Sequence, residues 1–81
     1  MTHIEWLREN GRVDTTGYGG PMFLLDSPVK RKLDAEEKLL KRRAIRWLRQ
    51  HGAMYDSVGE KWLLSSLGSP NEYKLIAGGS L

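Results

Sequence analysis

Asp34-Ala35-Glu36-Glu37-Lys38-Leu39-Leu40-Lys41-Arg42-Arg43-Ala44-Ile45-Arg46-Trp47-Leu48-Arg49-Gln50-His51-Gly52 is the stretch on which the fold turns. Asp34 stands where a helix wants a side-chain acceptor for its first free amides. Glu36 and Glu37 follow in the turn that faces the positive end of the helix dipole. Gly52 supplies the stop, so the spacing predicts a main helix running from Asp34 to about His51. At about 100° per residue, Leu40, Ala44, Trp47 and Leu48 share one arc, and Val29 and Leu33 join it if the helical phase extends upstream. That arc is read as a core-facing stripe, with Trp47 buried in it. On the other side Arg31, Lys38, Arg42, Arg46 and Arg49 cluster within about 80°, with Lys41 beside them. A helix continuous from Arg31 would present these cations over about 27 Å.

The charge is concentrated in this region. Residues 30–49 hold nine basic and three acidic side chains, a net +6, while the remainder of the chain sums to −3 and the whole to +3. Such one-sidedness within one domain is what a polyanion or an acidic protein surface would meet. Like charges four apart on a helix repel by a few tenths of a kcal/mol, a cost that selection for stability alone would remove with interspersed glutamates. Arg31, Lys38, Lys41, Arg42, Arg46 and Arg49 are therefore the candidate binding residues. The competing reading makes them a solvated face and nothing more.

Working outward, Thr2-His3-Ile4-Glu5 matches a capping box and predicts a short first helix over residues 3–10. Asn10-Gly11 would end it, with the glycine in a left-handed cap. Residues 12–21 read as turn-rich. Met22-Phe23-Leu24-Leu25, bounded by Gly-Pro and Asp-Ser-Pro, reads as a lone buried strand. Beyond Gly52 the period changes. Residues 53–58, 61–67 and 72–77, separated by Gly59-Glu60 and by Gly68-Ser69-Pro70-Asn71, read as a three-stranded antiparallel meander on which the main helix packs. A helix over 56–67 is the alternative for part of that segment, with Gly59 against it. Residues 1–77 would form one α+β domain and residues 78–81, Gly-Gly-Ser-Leu, a flexible tail.

The run from Arg43 to Ser65, helix then glycine then a short hairpin around Gly59-Glu60, resembles the recognition helix and wing of winged-helix DNA-binding domains. The resemblance implies that the basic helix meets DNA. The chain departs from that family upstream, where no second helix precedes the basic one, and at the wing turn, where Glu60 offsets Lys61.

Catalytic and metal-binding patterns are absent from the sequence. There is no cysteine, so thiolate chemistry and disulfides are excluded. His3 and His51 each lack a second histidine at ligand spacing, and no metal or other cofactor is expected. Gly17-Tyr18-Gly19-Gly20 lacks the Gly-Lys-Ser/Thr ending of a phosphate loop. Ser65, Ser66 and Ser69 fall in no nucleophile-elbow pattern. No apolar run approaches the roughly 20 residues of a membrane span, and no secretory signal opens the chain. Trp6, Trp47 and Trp62, one per element, read as core; Tyr55 and Tyr73 could face inward or stack on bases. The expectation is a cytoplasmic, non-enzymatic protein that binds nucleic acid, DNA in preference to RNA, through its basic helix. The alternative is a small regulator or inhibitor, of the kind phages and mobile elements encode, that sets the same stripe on an acidic protein surface.

Overall fold

A computed structural model describes residues 1–15 and 20–77. The chain runs α1 (His3–Asn10), β1 (Arg12–Asp14), β2 (Met22–Asp26), α2 (Ala35–Gln50), β3 (Met54–Asp56), β4 (Lys61–Ser65) and α3 (Pro70–Ala77). It is an α+β fold in which the four strands form one antiparallel sheet of order β1-β2-β4-β3.

The starts of α1 and α2 are as the sequence predicts. The amide of Glu5 donates to Thr2 Oγ1 at 3.2 Å while Thr2 N donates to Glu5 Oε1 at 3.2 Å, closing the capping box of α1. Glu37 N donates to Asp34 Oδ1 at 2.8 Å at the start of α2. That helix ends at Gln50, and Gly52 takes φ +90°, a conformation that suits glycine.

Several expectations are corrected. The strand at Met22 is not alone but central, hydrogen-bonded to β1 on one side and β4 on the other. Its Phe23, Leu24 and Leu25 are all buried, so both faces of the strand are covered. The turn-rich stretch contains β1, whose Arg12, Val13 and Asp14 pair with Leu24, Phe23 and Met22. The meander is half right: β3 and β4 form a hairpin, so the helical alternative over 56–67 fails, but residues 70–77 are the helix α3. Ser69-Pro70-Asn71-Glu72 is itself a helix-start pattern, with proline at the first helical position and glutamate two residues on. Tyr73 and Ile76, three apart, then point inward together, whereas the strand reading would have set Tyr73 and Leu75 on one face. Finally, Gly11 ends α1 in extended backbone (φ −89°, ψ 174°) and not in a left-handed cap. Tail residues 78–81 and Gly17-Tyr18-Gly19 lie outside the described residues.

The register places Phe23 opposite Leu64 and Leu25 opposite Trp62, so these four share a sheet face with Val13. They join Trp6 and Leu7 of α1, Leu40, Ala44 and Leu48 of α2, and Tyr73 and Ile76 of α3 in a single core. Helix α2 joins the sheet through this core, as expected, while its backbone runs closest to α1; α3 packs on α1, β2 and β4. Arg8 Nε fastens α1 to α3 by donating to the Leu75 carbonyl at 2.9 Å. Trp6 and Trp62 are buried as expected, but Trp47 is only partly buried, at the rim of the core with its ring centroid 4.4 Å from that of His51. Leu40, Ala44 and Leu48, each four residues apart, make a narrower seam than the predicted arc, and Trp47 falls just outside it.

Candidate nucleic-acid interface

The segment from Ser27 to Asp34 connects β2 to α2 without forming a helix of its own. It therefore ends the predicted 27 Å stripe: Arg31 stands on the connection, and the helical part of the stripe, Lys38 to Arg49, spans about 16 Å. The structure nevertheless brings all six candidate cations together. Arg31 and Leu33 on the connection face Lys38, Lys41, Arg42, Ile45, Arg46 and Arg49 on α2 across a groove of about 740 Å³. Leu33 and Ile45 are its apolar members, and no acidic side chain among the described residues lines it. The sequence reading placed Leu33 on the core-facing stripe and gave Ile45 no role. Ile45 lies off the core seam, and the place of Leu33 depends on how the connection folds back along α2.

The six cations are not equivalent. Arg31 is held on both sides, donating to Glu37 Oε1 at 2.9 Å and also to Glu37 Oε2, while its Nε and Nη2 reach Asn10 Oδ1 at 3.1 and 2.9 Å. The Arg31 hydrogen bonds hold the Glu37 carboxyl below its ordinary range, and Glu37 in turn raises Arg31. Trp6 Nε1 adds a long 3.4 Å contact to Glu37 Oε2. Arg31 is thus a fastener between the connection, α1 and α2. Among the described residues Lys38, Lys41, Arg42, Arg46 and Arg49 form no ion pair; the two ion pairs present are Arg31–Glu37 and Arg12–Asp26. Neighbouring cations within one helix turn lie inside the Debye length of about 8 Å, so their potentials add over the groove instead of being screened apart.

At its Arg49 end the groove adjoins a smaller cleft of about 290 Å³ lined by Ser27, Ile45, Arg49, Tyr55 and Trp62. The Arg49 guanidinium carbon lies 5.6 Å from the Trp62 ring centroid, within cation–π range. Tyr55 and Trp62 are cross-strand partners whose ring centroids are 5.1 Å apart. Tyr73, the other tyrosine considered for stacking, is buried in the core and faces no groove. The β3–β4 turn spans residues 57–60, with Asp56 Oδ1 accepting from the amides of Val58 and Gly59 and Glu60 at φ +52°. Its tip carries Glu60 and no cation before Lys61.

Among the described residues no group of three or more histidine, aspartate or glutamate side chains is placed to hold a metal ion. No helix among them is long and apolar enough to cross a membrane. Among the described residues between α1 and α2 there are two strands and no helix, so only the helix-then-hairpin order of the winged-helix resemblance is present. No protein family matches the chain, and no curated protein or solved structure is significantly similar to it.

Proposed function

We propose that the protein is a non-enzymatic nucleic-acid-binding protein that seats a phosphate backbone in the groove between α2 and the 27–34 connection. The observation that carries this reading is the set of five cations, Lys38, Lys41, Arg42, Arg46 and Arg49, left without ion pairs on one concave wall. A fold selecting for stability alone gains nothing from such a set, because neighbouring like charges repel. Phosphates would relieve that repulsion, and arginine's planar fork suits their oxygens. DNA is the polyanion favoured here, and such a partner fits a cytoplasmic protein. Contacts of this kind position a backbone without reading its sequence.

The test is fluorescence anisotropy of a labelled oligonucleotide across a salt series. Five phosphate contacts give a log–log slope of about −3.5 on a single strand and about −4.5 on a duplex. Arg42→Gln with Arg46→Gln should weaken binding and flatten the slope by about 1.4 to 1.8, with the circular dichroism spectrum unchanged. Absence of binding at low salt, or affinity indifferent to salt, overturns the reading. An acidic protein recovered in stoichiometric amount after nuclease treatment would assign the same wall to a regulator or inhibitor of that protein.

A further inference from the structure

The shape of the groove and what lies at its end narrow the ligand further. A helix that reads duplex DNA must project from its surface to enter a major groove about 12 Å wide. Here the cationic side of α2 is exposed but does not stand alone. The connection carrying Arg31 and Leu33 rises beside it, so the cations line the inside of a hollow. The hairpin turn next to that hollow offers Glu60 and no cation before Lys61, where a second strand of phosphates would need positive charge. Both features favour a single backbone over a duplex as the occupant of this groove.

The groove also does not end blindly. Ile45 and Arg49 belong both to it and to the cleft that holds Tyr55 and Trp62. Trp62 is 7% exposed and serves the core, whereas Tyr55 is 46% exposed, with one side of its ring braced against Trp62. A partly exposed aromatic residue thereby stands at the end of the cationic groove. Arg49 lies next to it, held near the Trp62 face. Unpaired bases have free π-faces that stack on such a ring, while bases within a duplex would first have to be unstacked.

We infer that the ligand is a single-stranded nucleic acid, its phosphates along Lys38, Arg42 and Arg46 and one base stacked on Tyr55 beside Arg49. The inference rests on the backbone-binding reading of the groove and adds the strandedness and the base contact. It requires no base-specific hydrogen bonds, so the preference is for unpaired over paired nucleic acid and not for a particular sequence.

Three labelled probes of equal length, about twelve nucleotides, separate the possibilities: oligothymidine, the same strand with abasic sites throughout, and a mixed-sequence duplex. Anisotropy titrations at about 50 mM salt should rank oligothymidine tightest, at least tenfold over the duplex and over the abasic strand. Tyr55→Ala should bring oligothymidine down to the abasic level, about tenfold or more, without changing abasic binding. Tyr55→Phe, which keeps the ring, should restore most of the difference. Thermal melts of both variants, compared with the parent, verify that the fold is kept. Duplex binding as tight as oligothymidine, or a Tyr55→Ala variant with unchanged oligothymidine affinity, overturns the inference and leaves the groove reading standing. Failure of all three probes to bind overturns the groove reading itself.

Discussion

Replacing Gly11 with alanine would test the packing on which the whole arrangement rests. A Cβ built on Gly11 lies 2.0 Å from Phe23 Cζ, 2.5 Å from Cε2 and 2.9 Å from Cε1. Carbon atoms in contact sit about 3.5–4.0 Å apart, so the ring tip would have to withdraw by about 1.5 Å or more. Phe23 is 1% exposed, on the central strand, with Val13 and Leu64 opposite it on the two neighbouring strands. Nothing around it yields easily. Overfilled cores lose about 1–3 kcal/mol, and an overlap this deep against a buried ring belongs at the upper end, about 3 kcal/mol. At about 0.05–0.15 kcal/mol per residue the total stability is about 4–12 kcal/mol, so the variant should still fold but melt much earlier. With a urea slope of about 1 kcal/mol/M, the midpoint should fall by about 3 M.

The backbone makes the test clean. Gly11 is extended, so alanine suffers no conformational penalty there, and alone the change would stabilise by about 0.4–1 kcal/mol through the unfolded chain. The loss must therefore come from the ring. In a Phe23→Leu background, which removes the three clashing atoms, Gly11→Ala should become neutral or stabilising. The coupling between the two sites should then be about 3 kcal/mol. Urea melts followed by circular dichroism on the four proteins measure it. Additive effects, or a single Gly11→Ala variant within about 0.5 kcal/mol of the parent, would show that α1 does not enter β1 over the Phe23 ring.

Two further predictions concern groups away from the groove. The Arg31 hydrogen bonds lower Glu37 below its ordinary value of 4.5, and the capping box does the same to Glu5. Carboxyls lowered by folding add stability that is present above that value and is lost as pH falls through their folded range. Urea midpoints should therefore drop between pH 5 and pH 3, less steeply in Glu37→Gln than in the parent, with the remaining drop including that from Glu5; parallel curves would refute the Arg31 clamp. The Tyr73 hydroxyl is buried with no hydrogen-bond partner among the described residues, so Tyr73→Phe should be neutral or stabilise by up to about 1 kcal/mol, and a loss larger than 1 kcal/mol in a thermal or urea melt would show the hydroxyl to be bonded.

The elements with local signals were legible in the sequence. Thr2 and Asp34 each supply a side-chain acceptor to a helix start, and those starts lie where the residues put them. Strand β2 was visible as an apolar run bounded by turn residues, but its neighbours were not, because pairing is a tertiary choice. Strand β1 is three residues with charges at both ends and acquires its identity only by lying against β2. Residues 70–77 held two signals at once, a turn composition and a helix start, and burial of Tyr73 with Ile76 decided between them. Gly11 was located correctly for the wrong reason: a left-handed cap was expected, and what glycine provides there is room for Phe23. In the candidate site five of the six cations were named from helical spacing, with Lys41 beside them, and for Arg31 that spacing assumed a helix the 27–34 connection does not form. Their meeting in one groove was not readable, since that depends on the connection doubling back along α2.

That doubling back also sorts the charges. The first turn of α2 carries Asp34, Glu36 and Glu37, and acids so close to a cationic wall would cancel much of its potential if they shared it. They do not. Together with Glu9 they line a separate hollow of about 550 Å³ against α1, opening by Met1 and Asn10. Arg31 borders both spaces, and its clamp on Glu37 is the partition between them. The narrow core seam of α2 makes this possible. Because only Leu40, Ala44 and Leu48 are fully committed to burial, the helix has one flank free for the acids beside α1 and another for Lys38, Arg42, Arg46 and Arg49. The ion pair that Arg31 makes neutralises the Glu37 carboxylate at the edge of the groove that Arg31 itself lines. A phosphate entering from the Tyr55 end meets Arg49, Arg46, Arg42 and Lys38 in turn before any carboxylate that lines the second hollow. The single strand inferred above would follow that polarity of charge, its stacked base at the aromatic end and its backbone running toward the start of α2.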